Sequence, residues 1–424
     1  MKTLDDFTMK SKKPWEVEGV ECREVKLGEV CTINPKKSEV RDLLSQNVEV
    51  SFIPMEYVDD TEGKIVKMDT KPLQAVYKGY TYFKEGDVLF AKITPCMENG
   101  KSAIARNLKN GIGFGSTEFH VLRPKENIAS EFIFYFIRRK RFRNLAKLHF
   151  TGTVGHKRVP KEFLIDSKIP LPFRNGKPDL ETQKKIVEYI EANFSRIDKI
   201  LEKKKKELEK LDELWESVLE QAFKPKEGEE WREIKFLDKI NLVKGTKPKS
   251  SVKEEREDTL PYLTTEYFRE KIIKEYIPIE KNKITLVNDG DLVIIADGSR
   301  SGELFFCDMK GVLVSTMAKF EFNESDINKK YLFWFLTTHF EHLNKSKYTA
   351  TPHVNKNHLK TLKIPLPFRN NQPDIEKQKE IANYLDSVYE KIKTLKEKIQ
   401  NQITQLEEMK ESILDEVFNH DETK

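Results

Sequence analysis

Apolar residues recur at alternating steps of four and three along two stretches of the chain, the spacing typical of a coiled-coil seam. Lys204 interrupts the first stretch, and Lys396 and Lys410 interrupt the second. The pattern predicts one long helix in each stretch, the first from about residue 180 to 223 and roughly 65 Å long. Asp179 is placed to cap the N terminus of that helix. The seam residues are Ile190, Phe194, Ile197, Leu201, Leu208, Leu211, Trp215 and Val218 in the first helix, and Leu385, Tyr389, Ile392, Ile399, Ile403, Leu406, Ile413 and Val417 in the second.

The remaining positions of each predicted helix are mostly lysine and glutamate. A long helix that is polar on three sides is not stable alone, because helices in water depend on packing of an apolar face. We therefore expect the two helices to pair with each other. An antiparallel arrangement would relate the two halves of the chain by a pseudo-two-fold axis, so that a monomer imitates a symmetric dimer.

Outside these helices the pattern changes to short apolar runs punctuated by glycine and proline, as expected for strands and turns. Residues 80–83, 87–91 and 292–295 are predicted to be strands. Two aromatic-rich stretches, residues 132–137 and 331–336, are predicted to be buried helices. The fold class that follows is α+β.

The chain also contains an internal repeat. The sequence IPLPFRNGKPDLETQKKIVEYI at 169–190 returns as IPLPFRNNQPDIEKQKEIANYL at 364–385, an offset of 195 residues that holds to the end of the helical stretch. Earlier parts of each half match more loosely, with offsets from 204 to 210. Each half therefore has a variable globular part followed by a constant helical part.

This organisation predicts two similar globular domains that are joined and separated by two long helices, which pair with each other as a coiled coil. The predicted boundaries are 1–178 for the first globular domain, 179–223 for the first helix, 224–373 for the second domain and 374–419 for the second helix. A common helical part combined with two different globular parts suits a shared docking element that carries two different recognition domains.

Composition narrows the class of protein. Of the 424 residues, 38% are hydrophobic and 10% aromatic, which is enough to form buried cores and excludes wholesale disorder. No stretch approaches the ~18 consecutive apolar residues that a membrane span needs. The N terminus carries acids where a signal peptide has its apolar core. The four cysteines are scattered, which argues against a disulfide framework or a zinc site. We expect a cytoplasmic protein.

The net charge of +5 arises from 75 basic and 70 acidic residues, so a nucleic-acid surface would have to be local. One such stretch exists: residues 138–158 contain eight lysines and arginines and no acid. Aromatic residues and the loop Thr151-Gly152-Thr153-Val154-Gly155-His156 lie between these charges. The stretch suits phosphate contacts from side chains and loop amides, although a solvated helix face followed by a turn would give the same pattern.

Catalytic motifs are not evident in the sequence. Asn99-Gly100-Lys101-Ser102 resembles the end of a phosphate-binding loop, but Pro95 stands where that loop requires glycine. His339 and His342 are three apart on a predicted helix, and no third metal ligand accompanies them. We therefore expect a protein that is not itself an enzyme and that holds no cofactor or metal.

The repeated Ile-Pro-Leu-Pro-Phe segment, followed by a helix start containing Gln183 or Gln378, resembles one family closely. Trp231-Arg232-Glu233-Ile234-Lys235, which opens the second half, resembles the same family, whereas the first half has Cys22 at the tryptophan position. The family is the DNA-specificity subunit of type I restriction-modification enzymes. The resemblance in organisation covers nearly the whole chain.

The resemblance implies two target-recognition domains, each recognising one part of a bipartite target in double-stranded DNA. It also implies that the two helices pair as an antiparallel coiled coil, which sets the spacing between the two parts and docks two methylation subunits. Restriction subunits then join that complex. S-adenosylmethionine, magnesium and ATP are then expected in those partner subunits and not in this chain. The specificity subunit itself is expected to be non-catalytic.

For DNA contacts we predict the basic stretch of the first domain and its counterpart in the second. The expected phosphate contacts in the first domain are Arg139, Arg141, Arg143, Lys147, Lys157 and Arg158, with Thr153 and His156 near the base edges. In the second domain the candidates are Arg300, Lys345, Lys347, Thr349, Thr351, His353 and Asn355. Arginine and asparagine have the donor geometry for guanine and adenine edges, respectively.

Two other functions remain open from the sequence. The chain could be an adaptor that binds only proteins through its coiled coil, in which case DNA binding would be absent or insensitive to salt. It could also be an enzyme whose site is assembled from both globular domains, in which case the purified chain alone would act on DNA.

Overall fold

The computed structural model describes residues 13–153, 156–280, 283–298, 300–343, 354 and 356–419, without the side chains of residues 341, 342 and 356. The chain forms two compact units. The first ends at Lys204 and resumes at Asn401, and the second comprises Lys205–Gln400. Each long helix therefore contributes residues to both units.

The globular part of the first unit alternates short strands and helices. Its strands are β1 (Glu21–Lys26), β2 (Cys31–Ile33), β3 (Glu49–Ile53), β4 (Asp69–Pro72), β5 (Thr81–Lys84), β6 (Val88–Ala91), β7 (Ser102–Ile104), β8 (Ile112–Gly115), β9 (Phe119–Pro124), β10 (Lys168–Arg174) and β11 (Lys177–Pro178). Its helices are α1 (Leu27–Val30), α2 (Leu73–Val76), α3 (Ser130–Arg138), α4 (Lys140–Leu148) and α5 (Lys161–Asp166), and 3₁₀ turns occur at Lys37–Gln46, Met55–Tyr57 and Lys109–Gly111.

The strands of this unit form small sheets with defined orders. One sheet has the order β2-β9-β6-β7 and is antiparallel throughout, and a second has the order β4-β3-β8-β5 with a parallel β3–β8 pair. Strand β1 pairs with β10 in the short sheet β1-β10-β11, which leads into the first long helix. Buried side chains such as Phe83, Leu89 and Phe119 form a core between these elements.

The globular part of the second unit repeats this plan. Its strands are β12 (Glu230–Lys235), β13 (Ile240–Lys244), β14 (Thr259–Leu263), β15 (Tyr276–Pro278), β16 (Leu286–Val287), β17 (Leu292–Ile295), β18 (Leu304–Phe306), β19 (Gly311–Leu313), β20 (Met317–Phe322), β21 (Lys363–Arg369) and β22 (Gln372–Pro373). The long helices are α6 (Leu180–Ala222) and α12 (Ile375–Phe418), and the short helices between them are α7 (Phe236–Lys239), α8 (Thr265–Glu270), α9 (Lys329–Thr338), α10 (Phe340–Leu343) and α11 (Lys356–Thr361).

The sheets of the second unit have the orders β13-β20-β17-β18, β15-β14-β19-β16 and β12-β21-β22. These match the three orders of the first unit strand for strand, including the parallel pair, here β14 with β19. The predicted α+β class with two similar globular parts and two long helices is therefore confirmed. The predicted strands at 80–83, 87–91 and 292–295 correspond to β5, β6 and β17, and the two predicted aromatic helices correspond to α3 and α9.

Helices α6 and α12 are 43 and 44 residues long and pair antiparallel within each unit. In the second unit Trp215 packs against Tyr389, with ring centroids 5.3 Å apart, and Asp212 forms an ion pair with Lys396. In the first unit Asp198 forms an ion pair with Lys410. The lysines that interrupt the apolar pattern of α12 thus meet aspartates on the facing helix. Every predicted seam residue is buried or partly buried except Tyr389, which is 39% exposed.

Buried side chains fix the start of each long helix to its globular part. Asp179 caps α6 as predicted, because its Oδ1 accepts a hydrogen bond from the amide of Glu181 at 3.2 Å and its Oδ2 accepts one from the Thr182 hydroxyl at 2.9 Å. One turn later, fully buried Gln183 bonds to the backbone just before α3. Gln378 does the same before α9.

Candidate nucleic-acid interface

The loop between β6 and β7, residues 92–101, forms the centre of the candidate site in the first unit. It turns through a cis Thr94–Pro95 bond. The Asn99 amide donates to the Pro95 carbonyl at 3.0 Å, and the Gly100 amide donates to the Met97 carbonyl at 3.0 Å. Met97 is fully buried and anchors the turn in the core. The exposed side of the loop therefore has a defined shape.

Two arginines from the basic stretch hold this loop through its backbone. Arg143 Nη1 donates to the Glu98 carbonyl at 2.6 Å, and Arg138 Nη1 donates to the Gly100 carbonyl at 3.0 Å. Gly100 has a φ of +85°, and a Cβ atom there would lie 3.1 Å from Arg143 Nη1. Glycine at this position permits both the left-handed backbone and the close approach of the guanidinium.

The segment after α4 joins the same loop by backbone pairing. The Val159 amide donates to the Lys92 carbonyl at 2.9 Å, and the Thr94 amide donates to the Lys157 carbonyl at 3.1 Å. Thr151 and Arg158 exchange backbone hydrogen bonds of 3.0 and 2.9 Å. The β6–β7 loop, helix α4 and the described part of 149–159 thus lie together. We call them the basic surface.

Two carboxylates offset part of the positive charge on the basic surface. Lys147 lies 2.8 Å from Glu98, and Arg158 forms a bidentate pair with Glu118 at 2.8 Å for both bonds. The hydrogen bond from Lys147 lowers the pKa of Glu98, and the hydrogen bond from Arg158 lowers the pKa of Glu118, so both carboxylates are ionised at neutral pH.

Arg141 and Lys157 are also exposed, and within the described ranges no carboxylate forms an ion pair with either. Their charges are therefore available to phosphates. Thr153 and His156 are exposed beside them, and the His156 amide donates to the Thr153 carbonyl at 3.0 Å.

Arg139 and Arg143 are placed differently from what the sequence predicts. Arg139 is 6% exposed, and its guanidinium carbon lies 4.3 Å from the ring centroid of Phe136 and 5.0 Å from that of Phe418. Burial lowers the pKa of Arg139 to about 10. Arg143 is partly buried and directs its donors to backbone carbonyls. Because their guanidinium groups are engaged internally, we leave both out of the proposed DNA contacts.

The second unit contains the equivalent loop between β17 and β18. The Val354 amide donates to the Ala296 carbonyl at 2.8 Å, as Val159 does to Lys92 in the first unit. Arg300 lies in this loop with its side chain 61% exposed, 3.5 Å from Glu303. The predicted contacts Lys345, Lys347, Thr349, Thr351, His353 and Asn355 lie outside the described residues.

Lys92 and Lys101 belong to the basic surface but were not predicted from the sequence. Burial lowers the pKa of Lys92, and Lys101 Nζ donates to the Met55 carbonyl at 3.3 Å. Lys92 pairs with Val159 and Lys101 contacts Met55, both more than forty positions away in the sequence, so no local pattern indicates their place in this surface. Within the described ranges no cluster of three or more metal-ligating side chains occurs, and no described helix is both long and apolar enough to cross a membrane.

Changing Glu98 to glutamine is expected to strengthen DNA binding, because it leaves the charge of Lys147 uncompensated. The loop should keep its shape, since Arg143 binds the backbone carbonyl of Glu98 and not its carboxylate. Because Glu98 competes with a phosphate for Lys147, its removal strengthens the existing Lys147 contact, and the slope of log affinity against log salt should become steeper by less than the ~0.9 of a whole new contact. Glu126→Gln, at an exposed position without an ion pair among the described residues, is the matched control. Equal slopes for both variants in a salt titration would contradict this assignment.

His120, in strand β9, binds the segment after α4 through the backbone of Val159. Its Nε2 lies 2.9 Å from the Val159 carbonyl, an acceptor, so Nε2 carries the proton. Its Nδ1, 3.0 Å from Asn34 Nδ2, accepts from that amide. Burial lowers the pKa of His120 below its ordinary value of 6.5.

The neutral form of His120 is therefore favoured in the folded state, and its contribution to stability is present above pH 6.5 and is lost as the pH falls below that value. We expect the free energy of unfolding of the first unit to decrease between pH 6.5 and 5, and His120→Gln to reduce that dependence. Urea unfolding at several pH values measures both slopes, and identical slopes would contradict the prediction.

Comparison with known proteins identifies the same family that the sequence resembles. A family model described as the type I restriction modification DNA specificity domain matches residues 19–210 and 228–405. The specificity subunit of the type I restriction enzyme EcoEI from Escherichia coli is 40% identical over 162 residues, which are 38% of this chain and 26% of that protein. The MjaVIII specificity subunit from Methanocaldococcus jannaschii is 36% identical over 204 residues, covering 47% of this chain and 45% of that protein. The chain thus matches less than half the length of these relatives.

Solved structures resemble this chain over nearly its full length. A chain from work on complex assembly and conformational transition of the type I R-M system aligns with a TM-score of 0.77, covering 95% of this chain and 98% of that chain. The HsdS subunit from Thermoanaerobacter tengcongensis aligns with a TM-score of 0.61, covering 95% and 97%. Both are 21% identical to this chain, so the likeness concerns the fold.

Proposed function

Because the chain belongs to the family of type I restriction modification DNA specificity domains, we propose that it is the sequence-specific DNA-binding subunit of a type I restriction-modification complex. Each unit recognises one part of a bipartite target in double-stranded DNA. The observation that carries the proposal is the recurrence of one sheet plan in both units, with a β6–β7 or β17–β18 loop at the same place in each. Those loops carry basic residues in two different local sequences, as two different half-sites require.

The chain itself contributes recognition and no catalysis. In this proposal two methylation subunits bind S-adenosylmethionine and modify adenine, and restriction subunits, which use ATP and magnesium, join the same cytoplasmic complex. The phosphate contacts in the first unit come from Arg141, Lys147, Lys157 and Arg158, with Thr153 and His156 near the bases. Arg300 is the proposed contact in the described part of the second unit. The other proposed contacts of the second unit lie outside the described residues, and they are proposed only because the repeat places them opposite the basic stretch of the first unit. They are Lys345, Lys347, Thr349, Thr351, His353 and Asn355.

The long helices are the proposed docking element for the methylation subunits. Tyr189 is 8% exposed, because Trp15 packs on it with ring centroids 5.5 Å apart. Its repeat counterpart Tyr384 is 55% exposed, and Leu395 on the same helix is 46% exposed. These apolar side chains favour a protein partner at α12, since large exposed apolar groups are typical of interaction sites.

The helices are also proposed to set the spacing between the two half-sites. Inserting seven residues into both α6 and α12, next to Lys204 and Gln400, keeps the seam in phase and adds about 10 Å. The spacer should then grow by about three base pairs, at 3.4 Å per base pair.

Selection from a random duplex library, with the chain bound to its methylation subunits, gives the target of each variant. Substituting seven residues at the same places without insertion is the control and should keep the original spacer. An unchanged spacer in the lengthened variant would refute the spacing role. Salt-insensitive binding without any selected sequence would favour a protein-binding adaptor.

A further inference from the structure

Helix α4 presents an apolar face to solvent. Its inward residues Phe142 and Ala146 are 4% and 0% exposed, whereas Leu145 and Leu148 are 50% and 81% exposed. Asn144 lies on the same outward side. Residues 144, 145 and 148 share one face because neighbours on a helix surface are three and four positions apart. Single exposed leucines are common, but two on one face of a nine-residue helix indicate a contact surface.

The rest of α4 is held firmly, so this face has a fixed orientation. The Lys140 amide at the helix start donates to Glu411 Oε2 at 2.8 Å. The Phe142 ring packs against Phe90, Phe136 and Phe163, with centroids 6.1, 5.2 and 5.4 Å away. A face fixed before binding loses little conformational entropy when it meets a partner.

The charges around the face favour DNA as that partner. Helix α4 contains no acidic residue, and Lys140, Arg141 and Lys147 are exposed on it together with Asn144, Leu145 and Leu148. An α-helix fits the major groove of B-DNA, where asparagine pairs with adenine and apolar side chains contact the methyl group of thymine. By helix geometry Lys140 and Lys147 lie along one side of this face and Arg141 lies within it, where their charges would meet the phosphates that line the groove.

We propose that α4 enters the major groove of the first half-site and that Asn144, Leu145 and Leu148 determine specificity there. This inference rests on the proposed function and names the residues that carry it in the first unit. Directly after α9, where the second unit has its counterpart, stands the four-residue helix α10 with the sequence FEHL. The two units therefore differ in sequence at this place, as two different half-sites require.

Removal of single thymine methyl groups tests the proposal. The chain in complex with its methylation subunits is titrated with duplexes of its selected target, in which each thymine of the first half-site is replaced in turn by deoxyuridine. At a contacted thymine the wild-type complex should bind the deoxyuridine duplex about fourfold more weakly, because one buried methyl group is lost. The L145A/L148A variant should bind both duplexes equally. The V66A variant, altered at a 67% exposed apolar residue elsewhere in this unit, should respond like the wild type.

Selection with Asn144→Ala provides a second readout that does not depend on the leucines. The preference of the complex for adenine over the other bases at one position of the first half-site should fall at least about fivefold. The preferences in the second half-site should not change. Deoxyuridine effects that are absent in the wild type, or equal in wild type and L145A/L148A, would overturn the inference while leaving a bipartite target in place. Loss of methylation subunits from L145A/L148A without a change in selected sequence would assign the face to a protein and would also overturn it. A wild-type complex that selects no target would reject the proposed function itself.

Discussion

Gln183→Ala is expected to lower the free energy of unfolding of the first unit by about 3 kcal/mol. The Gln183 side chain is fully buried, its Oε1 accepts from the Ala129 amide at 2.9 Å, and its Nε2 donates to the Asn127 carbonyl at 3.0 Å. Alanine leaves both backbone groups without their partner and opens a cavity. Each unsatisfied buried group costs about 1–3 kcal/mol.

The internal repeat supplies a second test of the same contact. Gln378 accepts from the Asn328 amide at 2.8 Å and donates to the Asp326 carbonyl at 3.1 Å, so Gln378→Ala should destabilise the second unit by a similar amount. Gln402→Ala, at an exposed position of α12, is the matched control. Urea unfolding, monitored by hydrogen exchange of amides at the start of α3 and of α9, measures the stability of the first and the second unit separately. If Gln183→Ala and Gln402→Ala differ by less than about 1 kcal/mol, the contact does not have the proposed role.

The double charge reversal R141E/K147E is expected to weaken DNA binding by about 30- to 100-fold at low salt. The slope of log affinity against log salt should become shallower by up to about 1.8, the value for two lost phosphate contacts. Arg141 is exposed and unpaired within the described ranges, and Lys147 is held only by Glu98 at the surface. Both substitutions place a negative charge where we propose that a DNA phosphate binds, so the two groups repel each other.

The control for this pair carries the same change in net charge. Lys199 and Lys203 are exposed on α6 and do not belong to the basic surface, so K199E/K203E removes no proposed phosphate contact and should change affinity by no more than about threefold in 0.15 M salt. The measurement is a titration of the complex with its target at several salt concentrations. Equal losses in both double variants would show that only net charge matters, and that the basic surface has no particular role.

The periodic parts of the fold could be predicted from the sequence because their signals are local. The steps of four and three predicted α6 and α12 to within a residue or so, and the repeat predicted two similar globular parts. Lys396 and Lys410, which interrupt the seam, are accommodated by Asp212 and Asp198 on the facing helix. A single helix sequence does not reveal that pairing, because it depends on the register between two distant segments.

The candidate site was predicted less completely, for reasons that lie in tertiary contacts. A run of eight basic residues suggested one exposed cationic stretch, but Arg138, Arg139 and Arg143 direct their guanidinium groups inward to carbonyls and aromatic rings. In the sequence, the end of the β6–β7 loop resembles only a phosphate-binding loop that has Pro95 in place of the required glycine. Its place beside the basic stretch depends on the pairing of Thr94 with Lys157, which no local pattern indicates.

Adenine methylation tests the central claim most directly. The chain is co-expressed with the methylation subunits of its source organism in a host without adenine methylation, and the methylated sites are mapped across the host genome with and without this chain. The account predicts one two-part motif, with a fixed run of unspecified bases between its parts, that is methylated only when the chain is present. Methylation by the same active subunits that does not depend on the chain, or that follows one continuous motif, would contradict it.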